Sequence, residues 1–323
     1  MTDQSKIPLP PEFRKDAGPS LIERASGSFD FRTMTRPAAP DLPPAPQPKV
    51  APAVMARPAA PVDEDLRAEP TALPAAPAAK PFTGPRHKID RAHLREQCLI
   101  EPESAVTSTL EEFRIVKRQL LRTAAESAAA HGKRILIASA HPGEGKTFCA
   151  VNLALSIAAE KDNEVLLVDA DFAKPSVLST LGLPGGKGLM DALADPSLCV
   201  EDCVIGTDVA GLYVLPAGNA TGSDTEYLAS ARTEAVLARL TANAPNRIVI
   251  FDSPPVLAAS PAIVLANHVG QTVVVVRADM TGEAALRDAV GLLGACEDIK
   301  LLLNGTRFST TGRRFGTYYG YKE

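Results

Sequence analysis

The sequence predicts an α/β fold with a doubly wound, mostly parallel sheet, and three observations carry this prediction. From residue 134 onward, short apolar runs alternate with longer segments of helical period. The runs are nearly continuous in Val, Ile and Leu, which is typical of strands buried on both faces. A glycine-rich turn or acidic residues directly follow three of the runs. Because ligands bind at the carboxyl edge of such sheets, the same pattern indicates a binding site.

The 28 prolines of the 323-residue chain are unevenly distributed and divide it into parts. Residues 37–85, rich in Pro and Ala, have no regular period and few large apolar groups, so burial cannot offset the entropy of ordering them. We expect residues 1–100 to be a largely disordered arm that contains this linker. Residues 101–305 are predicted to form the folded domain, and residues 306–323 a flexible tail.

Composition and charge exclude several classes of protein. The net charge of −4 argues against a nucleic-acid binder, which needs a basic face. The N-terminus lacks a basic region followed by an apolar stretch, and no run approaches 18 large apolar residues, so we expect neither a secretory signal nor a membrane span. The five cysteines lack the paired spacing of a zinc site and indicate reduced thiols. These features predict a cytoplasmic protein.

The predicted elements follow in order from a helix that begins near residue 108. Ser108 and Thr109 can cap this helix, and apolar residues then recur at three- and four-residue steps. Those apolar residues are Leu110, Phe113, Val116, Leu120 and Leu121. Strands are predicted at 135–138, 165–168, 212–215, 248–251, 272–276 and 300–303. Further helices are predicted at 147–159, 224–242, 261–267 and 282–295.

The turn after the first strand has the spacing of a Walker A phosphate-binding loop, Ala-His-Pro-Gly-Glu-Gly-Lys-Thr over residues 140–147. Ala140 stands where the strict pattern has a glycine. Glycines let backbone amides curl around an anion, and the following helix adds its positive end. Lys146 can reach the β- and γ-phosphates, and the Thr147 hydroxyl can bind Mg²⁺. The predicted nucleotide contacts are Pro142, Gly143, Glu144, Gly145, Lys146, Thr147 and Phe148.

Two further strands end in carboxylates, Asp169 with Asp171 and, later, Asp252. Because strand carboxyl ends meet at one edge of a parallel sheet, these groups should converge on the phosphates. Three carboxylates at one place repel each other unless a divalent cation neutralises them. The sequence therefore predicts an ATP·Mg²⁺ site, with Thr147, Asp171 and Asp252 holding the metal ion.

Residues 142–147, 169–176 and 251–255 together resemble the bacterial tyrosine kinases, which are P-loop enzymes related to the ParA/MinD ATPases. The resemblance covers residues 108–323. The Asp-Ala-Asp-Phe-Ala-Lys-Pro form is most similar to the autokinases of exosortase-associated exopolysaccharide loci. Many family members have arginine where this chain has Ala173, so any role of that arginine is not carried over.

The resemblance implies an ATP- and Mg²⁺-dependent protein-tyrosine kinase that regulates exopolysaccharide biosynthesis or export. Its implied catalytic residues are Lys146, Asp169, Asp171 and Asp252. A tyrosine hydroxyl has a pKa near 10, so a carboxylate must orient it or accept its proton. Asp169 is predicted to do so, and the sequence does not separate it from Asp171.

Glu111, Arg114 and Lys117 resemble the Glu-x-x-Arg-x-x-Arg motif through which subunits of this family pack into a ring. Lysine takes the last place here. Charged residues at this spacing also form ordinary solvated helix faces, so a ring interface and a plain surface are equal alternatives.

Tyr318, Tyr319 and Tyr321 lie within the last six residues and resemble the tyrosine tail of the family. The family resemblance implies autophosphorylation of these tyrosines, with each tail presented to a neighbouring subunit's active centre. The alternative is an aromatic tail that docks onto a partner.

The resemblance also implies a membrane-anchored activator of the chain-length type, which would bring the cytoplasmic kinase to the inner membrane. Two other classes stay open, a regulatory ATPase of the ParA/MinD type and a non-enzymatic ATP-binding adaptor. Such ATPases carry lysine and glycine where this chain has His141 and Pro142. Asn304 lies where related P-loop proteins contact adenine, although an Asn-Gly pair is also an ordinary turn.

Overall fold

The computed structural model describes residues 82, 84–127 and 131–306, all within one unit of the chain, Ala72–Glu323. The strands of this part are β1 (Arg86–His87), β2 (Arg134–Ser139), β3 (Glu164–Asp169), β4 (Ile205–Thr207), β5 (Leu212–Leu215), β6 (Arg247–Asp252), β7 (Gln271–Arg277) and β8 (Ile299–Asn304). Its α-helices are α1 (Arg91–Glu96), α2 (Ser108–Glu126), α3 (Lys146–Ala158), α4 (Val177–Leu181), α5 (Leu189–Ala194), α6 (Asp224–Leu228), α7 (Ala231–Thr241), α8 (Pro261–Leu265) and α9 (Glu283–Leu292). Short 3-10 turns lie at Val200–Cys203 and Ala266–His268.

The strands form a single sheet in the order β1-β4-β5-β3-β6-β2-β7-β8. Neighbouring strands are parallel except for β4 and β5, which pair antiparallel. The predicted doubly wound, mostly parallel sheet is therefore confirmed. All six predicted strands are present, and β1 and β4 are additional. These two contain only two and three residues, too few for a strand period to show in the sequence.

Alternate residues of the central strands feed two apolar cores on opposite faces of the sheet. In β2, Leu136 and Ala138 belong to one core, and Ile135 and Ile137 belong to the other. Helices α2 and α3 cover the second face, and α5 to α9 cover the first. Both helix layers are needed because the strands are apolar on both faces. Each large apolar side chain that is fully buried stabilises the fold by roughly 1.5–3 kcal/mol. Within the described residues, no helix combines the length and the apolarity that a bilayer crossing requires.

Helix α2 begins at Ser108, as predicted, but its cap lies one residue earlier. The Thr107 hydroxyl oxygen accepts a hydrogen bond from the Leu110 amide at 3.2 Å. The prediction that Ser108 and Thr109 cap the helix was therefore wrong. A β-branched hydroxyl residue just before the helix satisfies the same free amide.

The helix predicted over residues 224–242 is divided into α6 and α7. The Ser230 and Thr233 hydroxyls both donate to the Tyr227 carbonyl oxygen, at 2.6 and 2.9 Å. The Ser230 amide donates to the same carbonyl at 3.1 Å, which closes the last turn of α6. Side-chain hydrogen bonds thus replace the regular helical ladder at this point.

The chain before residue 101, where the sequence places the start of the domain, already contributes β1 and α1. The Ile89 amide donates to Asp208 Oδ1 at 2.9 Å. The Ile100 amide donates to Asn152 Oδ1 at 2.7 Å in a buried contact with α3. These bonds attach residues 84–100 to the sheet and to the helix that follows the phosphate-binding loop.

Candidate active site at the carboxyl edge of the sheet

The loop between β2 and α3 passes twice through backbone conformations that favour glycine. Gly143 has φ +78° and Gly145 has φ +98°. A Cβ atom on Gly145 would lie 2.1 Å from the side-chain nitrogen of Asn304, so Asn304 would have to move to make room for it. The backbone conformation requires glycine at residue 145, and a side chain there would also displace Asn304.

The first turn of α3 offers a row of backbone amides. The helical ladder starts with the Cys149 amide, which donates to the Gly145 carbonyl at 2.9 Å. Among the described residues, the amides of Lys146, Thr147 and Phe148 have no acceptor. Free amides and the positive end of the helix dipole together favour an anion.

Lys146 is buried next to these amides, with 7% of its surface exposed. Burial lowers the pKa of its amine, whereas the nearby carboxylates of Asp252, Asp171 and Glu144 act in the opposite direction. The loop therefore holds a cation beside acceptor-free amides, the arrangement that a polyphosphate requires.

Asp252 ends β6 directly opposite Asp169, its register partner at the end of β3. Its Oδ2 accepts a hydrogen bond from the Thr147 hydroxyl at 2.6 Å. Its Oδ1 is buried and has no hydrogen-bond partner among the described residues. Burial raises the pKa of Asp252 to about 7, and the Thr147 hydrogen bond only partly offsets this effect.

Asp169 holds the loop that follows β3. Its Oδ2 accepts the amides of Ser176 and Val177, both at 2.9 Å, and its Oδ1 accepts the Asp171 amide at 3.2 Å. Burial raises the pKa of Asp169 to about 6, although these hydrogen bonds favour the charged form. Asp169 is thus a buried carboxylate held by three hydrogen bonds, of which Oδ2 accepts two and Oδ1 accepts one.

Asp171 is half-buried and faces the same space. Its Oδ1 accepts the Lys174 amide at 3.0 Å. Its Oδ2 accepts no hydrogen bond from the part of the chain that the structure describes. The Ser176 hydroxyl, which the sequence analysis does not single out, lies 3.0 Å from the Thr147 hydroxyl.

The donor set suits Mg²⁺ bound together with a polyphosphate. Magnesium prefers oxygen ligands and usually takes one or two carboxylates plus phosphate oxygens and water. The partnerless Asp252 Oδ1 and the Thr147 hydroxyl supply such oxygens, with Asp171 Oδ2 nearby. The described residues contain no cluster of three His, Cys, Asp or Glu side chains arranged for a metal ion. An ion held jointly by a hydroxyl, a carboxylate and phosphate does not need one.

Two of the predicted nucleotide contacts direct their side chains elsewhere. The Glu144 carboxylate is buried beneath the loop, where its Oε2 accepts the His141 amide at 2.8 Å. The Phe148 ring packs edge-on against Phe113, with 6.3 Å between the ring centroids. The side chains of both residues are therefore engaged within the protein, which leaves only their backbone amides for the predicted contact. Pro142 and Gly143 are exposed on the outer side of the loop.

Thr281 and Asn304 hold the loop, a role that the sequence predicts for neither, although Asn304 is predicted to lie near the adenine. The Thr281 hydroxyl donates to Glu144 Oε1, and the Asn304 side-chain amide donates to the Glu144 carbonyl at 2.9 Å. Near these two residues, the sequence shows a glycine at residue 305, whose φ of +68° belongs to a tight turn. A turn next to Asn304 does not indicate that its side chain contacts the loop.

The three residues of the ring-interface motif have different environments. Arg114 and Glu111 form an ion pair one turn apart on α2, with 39% and 24% of their side chains exposed. Lys117 is buried, and its amine donates to the Ser156 carbonyl at 2.7 Å and pairs with Glu160 at 2.9 Å. Its amine therefore joins α2 to α3 within one subunit. The tail tyrosines, Tyr318, Tyr319 and Tyr321, lie outside the described residues.

The chain is similar to known P-loop proteins over this region. The family described as "AAA domain" matches residues 132–296. The tyrosine-protein kinase YwqD of Bacillus subtilis is 34% identical over 193 residues, which cover 59% of this chain and 79% of that protein. The tyrosine-protein kinase wzc of Salmonella typhimurium is 28% identical over 191 residues, 58% of this chain but 26% of the relative.

Solved structures give the same picture. The BceF tyrosine kinase domain is 29% identical with a TM-score of 0.51, covering 59% of this chain and 76% of that one. The kinase domain of the Escherichia coli tyrosine kinase ETK has a TM-score of 0.55 at 24% identity, covering 72% and 93%. The latter similarity shows the fold alone.

Proposed function

The chain belongs to the bacterial tyrosine kinases, and on that premise we propose that it uses ATP to phosphorylate C-terminal tyrosines, each copy acting in trans on the tail of a neighbour. One observation carries the proposal. A buried lysine, acceptor-free helix amides and a hydroxyl–carboxylate pair meet two further carboxylates at one sheet edge. Phosphoryl transfer needs this combination of positioning and charge stabilisation.

In the proposed mechanism, Lys146 and the loop amides hold the phosphates, and Thr147, Asp252 and Asp171 hold Mg²⁺. When bound, the metal ion neutralises charge on the phosphate oxygens. The tyrosine oxygen forms a bond to the terminal phosphorus as the phosphoanhydride bond breaks. The hydroxyl proton passes to a carboxylate, for which we propose Asp169.

The two candidate bases differ in ways that matter for this assignment. The raised pKa of Asp169, about 6, suits a group that takes a proton near neutral pH. Its Oδ1 accepts one long hydrogen bond, so it retains acceptor capacity. Asp171 is the alternative, because its Oδ2 accepts no hydrogen bond from the described residues and it is closer to solvent.

Mass spectrometry of the full chain after incubation with ATP and Mg²⁺ tests the activity. We expect phosphate on Tyr318, Tyr319 or Tyr321 in the wild type and none in Lys146→Met, which removes the phosphate-binding cation. The other two tyrosines, Tyr213 and Tyr227, are internal controls and should stay unmodified. A folded Lys146→Met variant with undiminished phosphotyrosine would contradict the proposal.

The same incubation separates the rival functions. Unmodified tyrosines with steady release of inorganic phosphate would indicate a regulatory ATPase of the ParA/MinD type. Neither product, even with the cytoplasmic segment of a candidate membrane partner added, would indicate an ATP-binding adaptor.

An experiment that mixes two variants tests whether phosphate is transferred from one copy to another. Lys146→Met chains supply the acceptor tyrosines, and chains with all three tail tyrosines changed to Phe supply the active site. Phosphate on the Lys146→Met chains supports transfer between copies. Phosphorylation of wild-type chains at a rate independent of their concentration, with no transfer in the mixture, would instead indicate transfer within one copy.

We also propose that the kinase regulates exopolysaccharide biosynthesis or export at the inner membrane, through a membrane-anchored activator of the chain-length type. The form of residues 169–175 supports this proposal through the resemblance described above. Polymer output from cells that carry Lys146→Met in place of the wild type is the corresponding measurement.

A further inference from the structure

We propose that Thr281, Glu144 and Asn304 form a clamp that positions the phosphate-binding loop. This inference rests on the proposed function only in assigning a nucleotide to the loop. The clamp joins three separate parts of the fold: the loop itself, the turn between β7 and α9, and the end of β8.

The first arm acts through the Glu144 side chain. Only 2% of this residue is exposed, although it lies in the loop between two glycines. Its Oε2 accepts the His141 amide at 2.8 Å, and its Oε1 accepts the Thr281 hydroxyl. Thr281 is itself fixed, because its Oγ1 accepts the Arg277 amide at 2.8 Å. Loss of either partner would leave a buried carboxylate oxygen without a donor, which is costly, so both hydrogen bonds hold Glu144 in place.

The second arm acts on the backbone. The Asn304 side-chain nitrogen donates to the Glu144 carbonyl oxygen at 2.9 Å. In a planar trans peptide the C=O and the following N–H point in opposite directions. Fixing the Glu144 carbonyl toward Asn304 therefore turns the Gly145 amide to the opposite side, the side away from β8. That amide has no acceptor among the described residues.

The two arms together set where the loop amides point before any ligand arrives. A preorganised anion site avoids the cost of ordering its donors at binding. Because Thr281 and Asn304 contact the loop through Glu144, neither needs to touch the nucleotide to raise its affinity. Thr281 and Asn304 are thus positioning residues, and the Glu144 side chain acts with them.

Four full-length variants test the clamp. Thr281→Val removes the hydroxyl at nearly constant volume, and Thr281→Ser restores it. Thr233→Val is the control, because the Thr233 hydroxyl also donates a hydrogen bond inside the fold, to the Tyr227 carbonyl at 2.9 Å, at the start of α7 and away from the loop. Asn304→Ala removes the other arm without changing Thr281 and keeps the test decisive if Thr281→Val fails to fold.

The first readout is hydrogen exchange of the loop amides without nucleotide. We expect Thr281→Val to speed exchange at His141 and its neighbours about tenfold, a loss equivalent to about 1.4 kcal/mol. Thr281→Ser should restore protection, and Thr233→Val should leave the loop unchanged even though it lowers overall stability. Unchanged loop exchange in folded Thr281→Val and Asn304→Ala chains would overturn the clamp.

The second readout is the Kd of a fluorescent ADP analogue with Mg²⁺. We expect about a tenfold increase for Thr281→Val and less than a twofold change for Thr281→Ser and Thr233→Val. Wild-type affinity in Thr281→Val would overturn the positioning role. If the wild type bound no nucleotide, the proposed function would fail, and the exchange readout would still decide the clamp.

Discussion

At the scale of single residues, the site is defined by two carboxyl groups that are buried at the ends of neighbouring strands. Asp252 and Asp169 are each 1% exposed and lie opposite each other on adjacent strands. Burial raises the pKa of Asp252 to about 7 and that of Asp169 to about 6. Without a metal ion, the folded chain therefore keeps these groups protonated to a higher pH than an exposed aspartate. Burial of such carboxyl groups lowers the stability of the fold, but it provides carboxylate oxygens that a divalent ion can bind.

The pH dependence of stability follows from the raised pKa of Asp252. Between about pH 4 and 7 the folded state binds more protons here than the unfolded state, so stability falls as pH rises. Asp252→Asn removes this loss, and its unfolding free energy relative to wild type should therefore grow by a few kcal/mol from pH 4 to 7. Denaturant unfolding in EDTA measures the difference.

Asp162→Asn, which changes an exposed carboxylate, is the control for that series and should show a flat difference. A flat difference for Asp252→Asn as well would mean that Asp252 is charged in the metal-free fold throughout this range.

At the scale of elements, α2 and α3 are joined by a polar contact inside an apolar layer. Lys117 reaches the Ser156 carbonyl near the end of α3, and Glu160 just beyond it completes the pair. The same helix presents Glu111 and Arg114 near its start, partly exposed. The face of α2 that carries Lys117 thus packs against α3 in the same subunit, while Glu111 and Arg114 near its start remain partly exposed to solvent.

Lys117→Met should lower the free energy of unfolding by about 1–3 kcal/mol, because it leaves the buried Ser156 carbonyl without its donor. Arg118→Met, on the exposed neighbour, should change it by less than about 0.5 kcal/mol. Chemical denaturation measures both. A Lys117→Met chain with wild-type stability but a smaller assembly would place Lys117 at a subunit interface instead.

The central strands could be predicted from the sequence because their apolar runs are long and rich in β-branched residues. The phosphate-binding loop and the strand-end carboxylates could be predicted because their chemistry is local in sequence. The bracing of the loop could not, since Thr281 and Glu144 are 137 residues apart and ordinary residue types. The contact of Lys117 with α3 could not be predicted either, because the spacing of a lysine along a helix does not show whether its amine is buried. The site roles themselves stay predictions until variants are measured.

At the scale of the whole molecule, the proposed phosphorylation of the tail should weaken the proposed ring of subunits. Each phosphate on Tyr318, Tyr319 or Tyr321 adds nearly two negative charges. If several tails converge in a ring, mutual repulsion and lost docking should favour dissociation.

Sizing the protein at fixed concentration before and after phosphatase treatment measures this effect. We expect a smaller average mass for the phosphorylated chain. A chain with all three tyrosines changed to Phe should show no difference between the two conditions. Identical masses for phosphorylated and dephosphorylated wild type would contradict the prediction.

The bond between Asn304 and the phosphate-binding loop also fixes the anchor point of a tether. Tyr318 lies 14 positions after Asn304 and Tyr321 lies 17 positions after it, so the chain between them spans at most about 50 Å and about 60 Å when fully extended. Each tyrosine proposed as an acceptor is therefore confined to a sphere of that radius around Asn304, beside the phosphate-binding loop of its own subunit. Only active centres inside that sphere are within its reach. The range of the kinase toward its tail is thus set by covalent length rather than by affinity.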